Sequence, residues 1–226
     1  MTGGHRRHRG PAVRVSELAG GRIAVCVLPF GGPPLAAARP GACPSWPRAA
    51  ERVGGRRALS TALRALGVAP GDLARSATGA PVAPEGTAVS LTHRGRYAVG
   101  VAWRGGPAAH RVAGLGVDLE HHGQVPPGAL RLLCGEAELA ALRGEPSWLD
   151  PTRLFAAKEA VFKAASAWSG GAFRPRALPL EPRGERAAVC ALPRAADTGT
   201  TGPDRTVCVV STQVGEWWTA LSLALV

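Results

Sequence analysis

The chain has 226 residues, of which 46% are hydrophobic, so it is long enough for one large domain or two halves and too apolar to be disordered throughout. Its five cysteines are scattered without a CxxC spacing, which argues against a disulfide framework and a zinc site, and no apolar run approaches the ~20 residues of a membrane span. We therefore expect a soluble, cytoplasmic protein, and its net charge of +11 indicates an anionic partner.

The first half of the chain is predicted to contain a strand, a helix and a pair of strands. Residues 1–20 are expected to form a flexible basic arm. The predicted elements are strands at residues 22–28, 87–91 and 97–103 and a helix at residues 48–66, and residues 29–47 are expected to be a loop. Residues 92–95 are predicted to be the corner between the last two strands, and this corner carries His93. A break at residues 105–107 marks the boundary between the halves.

Three arginines lie on one face of the helix predicted at residues 48–66. Arg48, Arg52 and Arg56 are spaced i, i+4 and i+8, with Glu51 as the nearby acid, and like charges at this spacing repel one another. One interpretation is a solvated basic face. The other is a phosphate-binding surface, because the planar guanidinium matches phosphate oxygens.

The second half repeats the coarse order of a helix followed by antiparallel-type strands. The predicted elements are a strand at residues 112–120, helices at 130–143 and 150–171, and strands at 177–180, 187–192, 206–210 and 217–225. This order and the break at residues 105–107 predict an N-terminal half at residues 21–106 and a C-terminal half at residues 107–226.

Two acids end the strand predicted at residues 112–120. Asp118 and Glu120 are two positions apart, so their side chains lie on the same face of a strand, where they repel each other unless a cation intervenes. Carboxylate oxygens suit Mg²⁺. A strand that simply ends in solvent is the alternative. His121 and His122 allow a site for a softer metal, but adjacent residues of an extended segment point apart.

The helix predicted at residues 150–171 carries charge on its apolar stripe. Asp150 is a typical N-cap, and Phe155, Glu159 and Phe162 follow at i, i+4 and i+7, which predicts a carboxylate between two rings facing the core. Lys163 is positioned to pair with Glu159. Although the chain has 27 basic residues, Lys163 and Lys158 are its two lysines. Their retention indicates a chemical need that a guanidinium does not meet, unless they are ordinary surface charges.

Three segments together resemble the Sfp-type 4′-phosphopantetheinyl transferases. They are SLTH at residues 90–93, GVDLE at 116–120 and FAAKEAVFKA at 155–164. The fit is closest to the group that includes the enterobactin synthetase component, and GAPVAPEG at residues 79–86 resembles a segment of that group, although Ala83 replaces a common Trp. Gly55 and Arg56 resemble the family's Gly-Arg element. The matches run from about residue 48 to 164.

The resemblance implies two similar α+β halves related by a pseudo-two-fold axis, with coenzyme A bound between them. Asp118, Glu120 and Glu159 would hold Mg²⁺ on the coenzyme's pyrophosphate. Lys163 would contact the phosphate and assist the leaving group. The residues implied in binding the phosphates of coenzyme A are His93, Arg56, Lys158 and Lys163, with Arg52 and Arg75 as helpers. Glu138 resembles an acid that assists activation or Mg²⁺ binding in some members.

The activity implied is transfer of 4′-phosphopantetheine from coenzyme A to a serine hydroxyl of an apo acyl or peptidyl carrier protein, with release of adenosine 3′,5′-bisphosphate. Glu159, directly or through a water, is the candidate base. We expect a monomer serving siderophore, nonribosomal peptide or polyketide biosynthesis, without a nucleic-acid or membrane partner. The alternatives are a Mg²⁺-dependent phosphotransferase acting on another nucleotide and a polyanion-binding module.

Overall fold

A computed structural model describes residues 11–30, 47–77, 79–106, 112–169, 172–192 and 205–225. In this part of the chain the strands are β1 (Ala12–Leu18), β2 (Gly21–Pro29), β3 (Thr87–Arg94), β4 (Tyr97–Gly105), β5 (Val112–His121), β6 (Glu181–Pro182), β7 (Ala187–Leu192), β8 (Arg205–Val214) and β9 (Trp217–Leu225). The α-helices are α1 (Arg48–Ala65), α2 (Leu130–Leu133), α3 (Glu136–Leu142) and α4 (Pro151–Ser169). The protein is therefore α+β, as predicted.

The strands form two antiparallel sheets. The first sheet has the order β1-β2-β4-β3 and the second has the order β5-β9-β8-β7-β6. Helix α1 packs on the first sheet and α4 on the second, each over its own apolar cluster. All strands of the first sheet precede residue 106 and all those of the second follow residue 111.

A glycine in each sheet lets the helix approach the strand closely. A Cβ added to Gly100 on β4 would overlap the backbone of Leu59 in α1, and one added to Gly116 on β5 would overlap the carbonyl oxygen of Ala160 in α4. A side chain at either position would push the helix away from its sheet.

The two sheets meet through a third apolar cluster. Its buried members are Ile23, Ala88, Val99, Val101 and Trp103 from the first sheet and Leu115, Val117, Leu119 and Leu223 from the second. Strands β3 and β5 face each other at this junction. The junction brings the C-terminal end of β3 next to the acids of β5.

The start of α4 is as predicted. The Asp150 carboxylate accepts hydrogen bonds from the backbone N–H groups of Thr152 (2.8 Å) and Arg153 (3.0 Å), which is the contact expected of an N-cap. The same carboxylate accepts a hydrogen bond from Trp218 Nε1 at 3.1 Å, so the cap also ties the helix to β9. The Gly pair predicted to end the helix lies outside the described residues.

Four expectations for secondary structure were wrong. The flexible arm predicted for residues 1–20 contains β1, which pairs with β2 through the backbone, and residues 1–10 lie outside the described part. The predicted corner at residues 92–95 is largely strand, because β3 continues to Arg94 and the turn follows it. The helix predicted at residues 130–143 breaks between α2 and α3, where Cys134 is extended.

The fourth error concerns the strand predicted at residues 177–180. Pro175–Ala177 is a 3₁₀ turn, and the strand that follows is β6. Two backbone carbonyls of this segment, those of Pro175 and Leu178, accept hydrogen bonds from the Lys158 ammonium. In a strand, these carbonyls would accept hydrogen bonds from a neighbouring strand. The pattern of apolar residues in the sequence does not show that the Lys158 side chain binds them instead.

Candidate active site

An arginine-rich cleft lies between α1 and the C-terminal end of β3. The cleft has a volume of ≈ 40 Å³ and is lined by Arg52, Arg56, Leu73, Arg75, Gly79, Pro81, Leu91 and His93. Helix α1 supplies Arg52 and Arg56 from successive turns, and β3 supplies His93. Arg75 pairs with Pro81 in an isolated antiparallel β-bridge. The four basic residues predicted from the sequence to contact phosphates, other than the lysines, thus line one cleft.

His93 lies at the inner wall of this cleft beside an acid of α1. Its side chain is 35% exposed, and Nδ1 lies 3.7 Å from Glu51 Oε2. Burial lowers the pKa of His93, and the Glu51 carboxylate offsets that shift only in part. At neutral pH the imidazole is therefore uncharged, and the positive charge of the cleft comes from its arginines.

A larger cleft of ≈ 650 Å³ opens beside it, between the two sheets. It is lined by residues 76–83 other than 78 and 82, by the first part of β3, by the start of β5 and by residues 162–164 and 166 of α4. Gly79, Pro81 and Leu91 line both clefts, so the two clefts are adjacent. Lys163 lies on the wall of the larger one.

Three carboxylates and a lysine meet where β5 packs against α4. Asp118 and Glu120 are 2% and 6% exposed, whereas the Glu159 side chain is 29% exposed. Lys163 Nζ donates a hydrogen bond to Asp118 Oδ1 at 2.6 Å and lies 3.4 Å from Glu159 Oε2. It also donates to the Val117 carbonyl at 3.2 Å. The ammonium therefore joins the acid of β5 to the acid of α4.

These acids repel one another and are partly removed from water. The pKa of Glu120 is raised to about 7, first by burial and then by the charge of Asp118. Burial and Asp118 likewise raise the pKa of Glu159. Burial alone would lower the pKa of Lys163, but the carboxylates of Asp118 and Glu159 raise it above its ordinary value. Lys163 thus keeps its proton, and the cluster favours an additional cation.

The chemistry of the cluster fits Mg²⁺, although the described residues do not converge on a metal position. Asp118 Oδ2 and Glu120 Oε2 are buried without a hydrogen-bond partner among the described residues. Carboxylate oxygens are the ligands that Mg²⁺ prefers, and it keeps several waters. However, no group of three or more His, Cys, Asp or Glu side chains in the described part of the chain is arranged to hold a metal ion. His121 and His122 instead pair with Glu216 and Asp150.

Lys158 has a different environment from the one predicted. Its side chain is fully buried, and its Nζ donates to Glu138 Oε2 (2.9 Å) and to the carbonyls of Pro175 (3.0 Å) and Leu178 (2.7 Å). Glu138 also accepts a hydrogen bond from the Leu180 N–H at 2.7 Å. The prediction that Lys158 contacts a phosphate is therefore wrong, because its donors are used inside the protein. Glu138 is part of this internal pair and not of the acid cluster.

The predicted burial of Glu159 between two rings also needs correction. Phe155 and Phe162 are partly buried, and both lie against Phe173, with ring centroids 5.8 and 5.4 Å away. Glu159 is half-buried at the edge of this group and faces Lys163. The fully buried face of α4 carries Ala157, Lys158 and Val161 instead.

The sequence left the separate roles of alternate residues on β3 unrecognised. Leu91 packs toward α1 and His93 faces Glu51, whereas Ser90 and Thr92 are buried against β5. Ser90 Oγ accepts a hydrogen bond from the Val117 N–H (3.1 Å), and Thr92 Oγ1 donates one to Asp118 Oδ1 (3.0 Å). The sequence signal that could have revealed these roles was the two-residue alternation in SLTHR, which indicates a continuing strand and not a corner.

Two family models match the parts of the chain that carry these residues. The family model of the 4′-phosphopantetheinyl transferase superfamily matches residues 114–199, and that of the 4′-phosphopantetheinyl transferase N-terminal domain matches residues 41–103. The first match contains the acid pair of β5 and all of α4, and the second contains α1 and the basic residues of the cleft.

Three curated transferases resemble the chain over about half its length. The 4′-phosphopantetheinyl transferase Svp of Streptomyces mobaraensis is 39% identical over 110 residues, which are 46% of this chain and 42% of Svp. Npt of Nocardia iowensis is 35% identical over 120 residues, covering 52% and 51% of the two chains. PptT of Mycobacterium tuberculosis is 37% identical over 111 residues, covering 48% and 47%.

The chain spans about half the length of the curated relatives it matches. The matches name the superfamily and its N-terminal domain, and the subgroup suggested by the sequence stays a prediction. Two family models cover successive parts of the chain, and each contains residues of the site described above. The chain belongs to the 4′-phosphopantetheinyl transferase superfamily.

Proposed function

We propose that this protein transfers the 4′-phosphopantetheine group of coenzyme A to a serine hydroxyl of an apo carrier protein, in a Mg²⁺-dependent reaction that releases adenosine 3′,5′-bisphosphate. The observation that supports it best is the position of the arginine-rich cleft. It adjoins the larger cleft whose wall carries Lys163, so a ligand with two separate phosphate groups could contact the arginines and Lys163 together.

The arginine-rich cleft would bind the phosphate groups of the nucleotide. Arg52, Arg56 and Arg75 supply charge in a planar form suited to phosphate oxygens. His93, whose pKa is lowered, would serve as a neutral hydrogen-bond donor, and an incoming phosphate would raise that pKa again. The coenzyme would thereby be fixed before the carrier protein arrives, which is the positioning that phosphoryl transfer requires.

Asp118, Glu120 and Glu159 would hold Mg²⁺ near the pyrophosphate. When bound, the metal would neutralise developing negative charge on the phosphate oxygens. Lys163 would serve beside it as a fixed positive charge, because its raised pKa keeps the ammonium protonated at neutral pH. Its proposed part is to contact the phosphate and stabilise the departing bisphosphate, without donating a proton.

Glu159 is the best candidate for the base that accepts the serine proton. It is the most exposed of the three acids, so an incoming hydroxyl or a bridging water can reach it. Burial and Asp118 raise its pKa, which strengthens a carboxylate as a base at neutral pH. Asp118, by contrast, already accepts hydrogen bonds from Thr92 and Lys163.

The decisive experiment is the intact mass of an apo carrier protein after incubation with this protein and coenzyme A, with Mg²⁺ or with a chelator. We expect a gain of one phosphopantetheine that the chelator abolishes. No gain on either acyl or peptidyl carriers, from folded protein, would contradict the proposal and favour another nucleotide substrate.

The partners and setting follow from the same proposal. The carrier protein and coenzyme A are the expected partners, and the protein is expected to act as a monomer in siderophore, nonribosomal peptide or polyketide biosynthesis. In the described residues, no helix combines the length and apolar character needed to cross a membrane.

A further inference from the structure

Side chains, in place of backbone hydrogen bonds, connect the facing strands β3 and β5. The two strands belong to different sheets. Ser90 and Thr92 are hydrogen-bonded to Val117 and Asp118, and the next residue on that face, Arg94, approaches Glu120 with 3.1 Å between Nε and Oε2. The first two contacts are buried hydrogen bonds, and the third is an ion pair at the rim.

The Arg94–Glu120 pair differs from the other two contacts in how tightly it is held. The Arg94 side chain is 37% exposed, whereas that of Glu120 is 8% exposed. Glu120 Oε2 has no hydrogen-bond partner among the described residues, so the contact neutralises charge without a well-directed hydrogen bond. A long, partly exposed side chain held only by charge can be displaced when another cation takes over the neutralisation of that charge.

The charges around Glu120 show why such a partner is needed. Asp118 and Glu159 both raise the pKa of Glu120, and Arg94 and Lys163 both lower it. Lys163 is committed to Asp118 and the Val117 carbonyl. Arg94 lies beside Glu120, and its positive charge also acts on Glu159, but in the described residues its guanidinium has no ion pair with a second acid.

We propose that Arg94 is an exchangeable counter-ion of Glu120, which a divalent cation displaces when it binds the acid cluster. This inference rests on the proposed function for the cation site. In the cation-free protein the guanidinium offsets the charge of a buried carboxylate and keeps the cluster formed. When the divalent cation binds, it takes over that neutralisation, and the guanidinium turns to solvent or to an anionic ligand at the rim.

The exchange predicts opposite effects of Arg94 on stability and on metal affinity. Without a divalent cation, loss of the guanidinium leaves Glu120 buried and unpaired, which destabilises the fold. With the cation bound, the variant should be as stable as the wild type, because the cation neutralises Glu120. By thermodynamic linkage, the variant must then bind the cation more tightly than the wild type.

The test compares Arg94→Gln with Arg96→Gln. Arg96 is two residues further along, its guanidinium lies 6.0 Å from the Tyr97 ring centroid, and its loss makes the same change in net charge. Melting temperatures are measured in chelator and in saturating Mg²⁺, and Mg²⁺ binding is measured by calorimetry without substrate. Arg94→Lys, which keeps the charge, serves as a second variant.

We expect Arg94→Gln to melt below the wild type in chelator and to match it in saturating Mg²⁺. Its dissociation constant for Mg²⁺ should fall about tenfold, the size expected when one partly screened charge is removed beside the cation. Arg96→Gln should resemble the wild type in both measurements, and Arg94→Lys should retain most of the stability in chelator.

Three outcomes would overturn the exchange. Weaker Mg²⁺ binding by Arg94→Gln would mean that Arg94 holds Glu120 in place for the metal. Equal behaviour of the Arg94→Gln and Arg96→Gln variants would mean that Arg94 is a surface charge. Absence of Mg²⁺ binding by the wild type would remove the cation from the cluster. The carrier-protein mass assay reads the transfer reaction separately, so failure of the exchange and failure of the proposed function are distinguishable.

Discussion

Lys158 and Lys163 extend from the same helix into different surroundings. Five residues of an α-helix correspond to a rotation of about 140°, so side chains at this spacing lie on well-separated faces. Lys158 is buried against Glu138 and two carbonyls, and Lys163 faces the acid cluster. A compact ammonium with three donors suits the converging oxygens around Lys158, which explains why arginine does not replace it there.

At Lys163, the change Lys163→Arg should lower the rate of carrier modification roughly tenfold or more, because the planar guanidinium cannot place its charge where the ammonium touches Asp118 and Glu159. Single-turnover mass spectrometry would measure the rate, and the melting temperature would show that the variant is folded. An unchanged rate would reduce Lys163 to a structural ion pair.

For Glu159, the change Glu159→Gln should lower the transfer rate by about a hundredfold or more, as expected when a general base is lost. Its melting temperature in chelator should equal or exceed that of the wild type, because burial and Asp118 disfavour the charged form. A rapid rate in this variant would exclude Glu159 as the base. A lower melting temperature would instead indicate that its pairing with Lys163 outweighs the repulsion.

The two long helices depend on glycines in the strands beneath them. Gly116 on β5 lies under Ala160 of α4, two residues before Asp118, so the same contact sets the distance between the acids of the strand and the acid of the helix. The Ser222 hydroxyl donates a hydrogen bond to the Ala160 carbonyl at 2.6 Å from the neighbouring strand, which leaves that carbonyl little freedom to move.

Replacing Gly116 by alanine should destabilise the protein by about 1–3 kcal/mol, since the added methyl overlaps the Ala160 carbonyl. Gly128→Ala is the matched control, because a Cβ there meets nothing within 4 Å and should change stability by less than about 0.5 kcal/mol. Denaturant unfolding would measure both. Similar stabilities for the two variants would show that α4 does not rest on β5 as closely as described.

Much of the regular structure was predictable from sequence patterns, because long elements carry clear end signals. Helix α4 begins one residue after its predicted cap, and β9 has the predicted bounds. Strand β1 was missed because six of its seven residues are exposed, so it has no buried face to produce an alternation. It is held by pairing with β2, and sequence periodicity does not report such pairing.

Most residues that the sequence proposed for the site lie near one another in the structure, whereas Lys158 and Glu138 form a separate buried pair. Asp118, Glu159 and Lys163 come together, and Arg52, Arg56, Arg75 and His93 line one cleft. Lys158 was misplaced because the motif contains residues from all faces of α4. A matching residue can therefore lie on the face that is buried in the core, as Lys158 does, and the motif alone does not show which face meets the cleft. Strand β3 contributes residues to the α1 side and to the β5 side of the site. Which residue faces which side depends on the register of the strand, and residue spacing alone does not give that register.

For the whole molecule, stability should depend on pH through Glu120 when no divalent cation is present. Its pKa is raised from 4.5 to about 7 in the folded protein, so the folded state binds a proton more tightly than the unfolded state. Stability should therefore fall as pH rises from about 4.5 to 7, with a total contribution of up to about 3 kcal/mol, and level off above that range.

Denaturant unfolding in chelator across this pH range would measure the effect. In Glu120→Gln, which cannot ionise at this position, the decline should be smaller, and in the wild type saturating Mg²⁺ should suppress it. A decline of equal size in both proteins would assign the pH dependence to other groups.

The alternation of side chains along β3 makes this strand sensitive to insertions and deletions. Its odd-numbered residues Leu91 and His93 serve the α1 side, and its even-numbered residues Ser90 and Thr92 serve the β5 side. Insertion or deletion of a single residue within the strand would exchange these two sets, placing imidazole against the acids and hydroxyls against the arginines. The two-residue alternation along β3 therefore keeps His93 on the side of the arginine-rich cleft and Thr92 on the side of the acid cluster, and a change in length is tolerated better in the turns at either end of the strand.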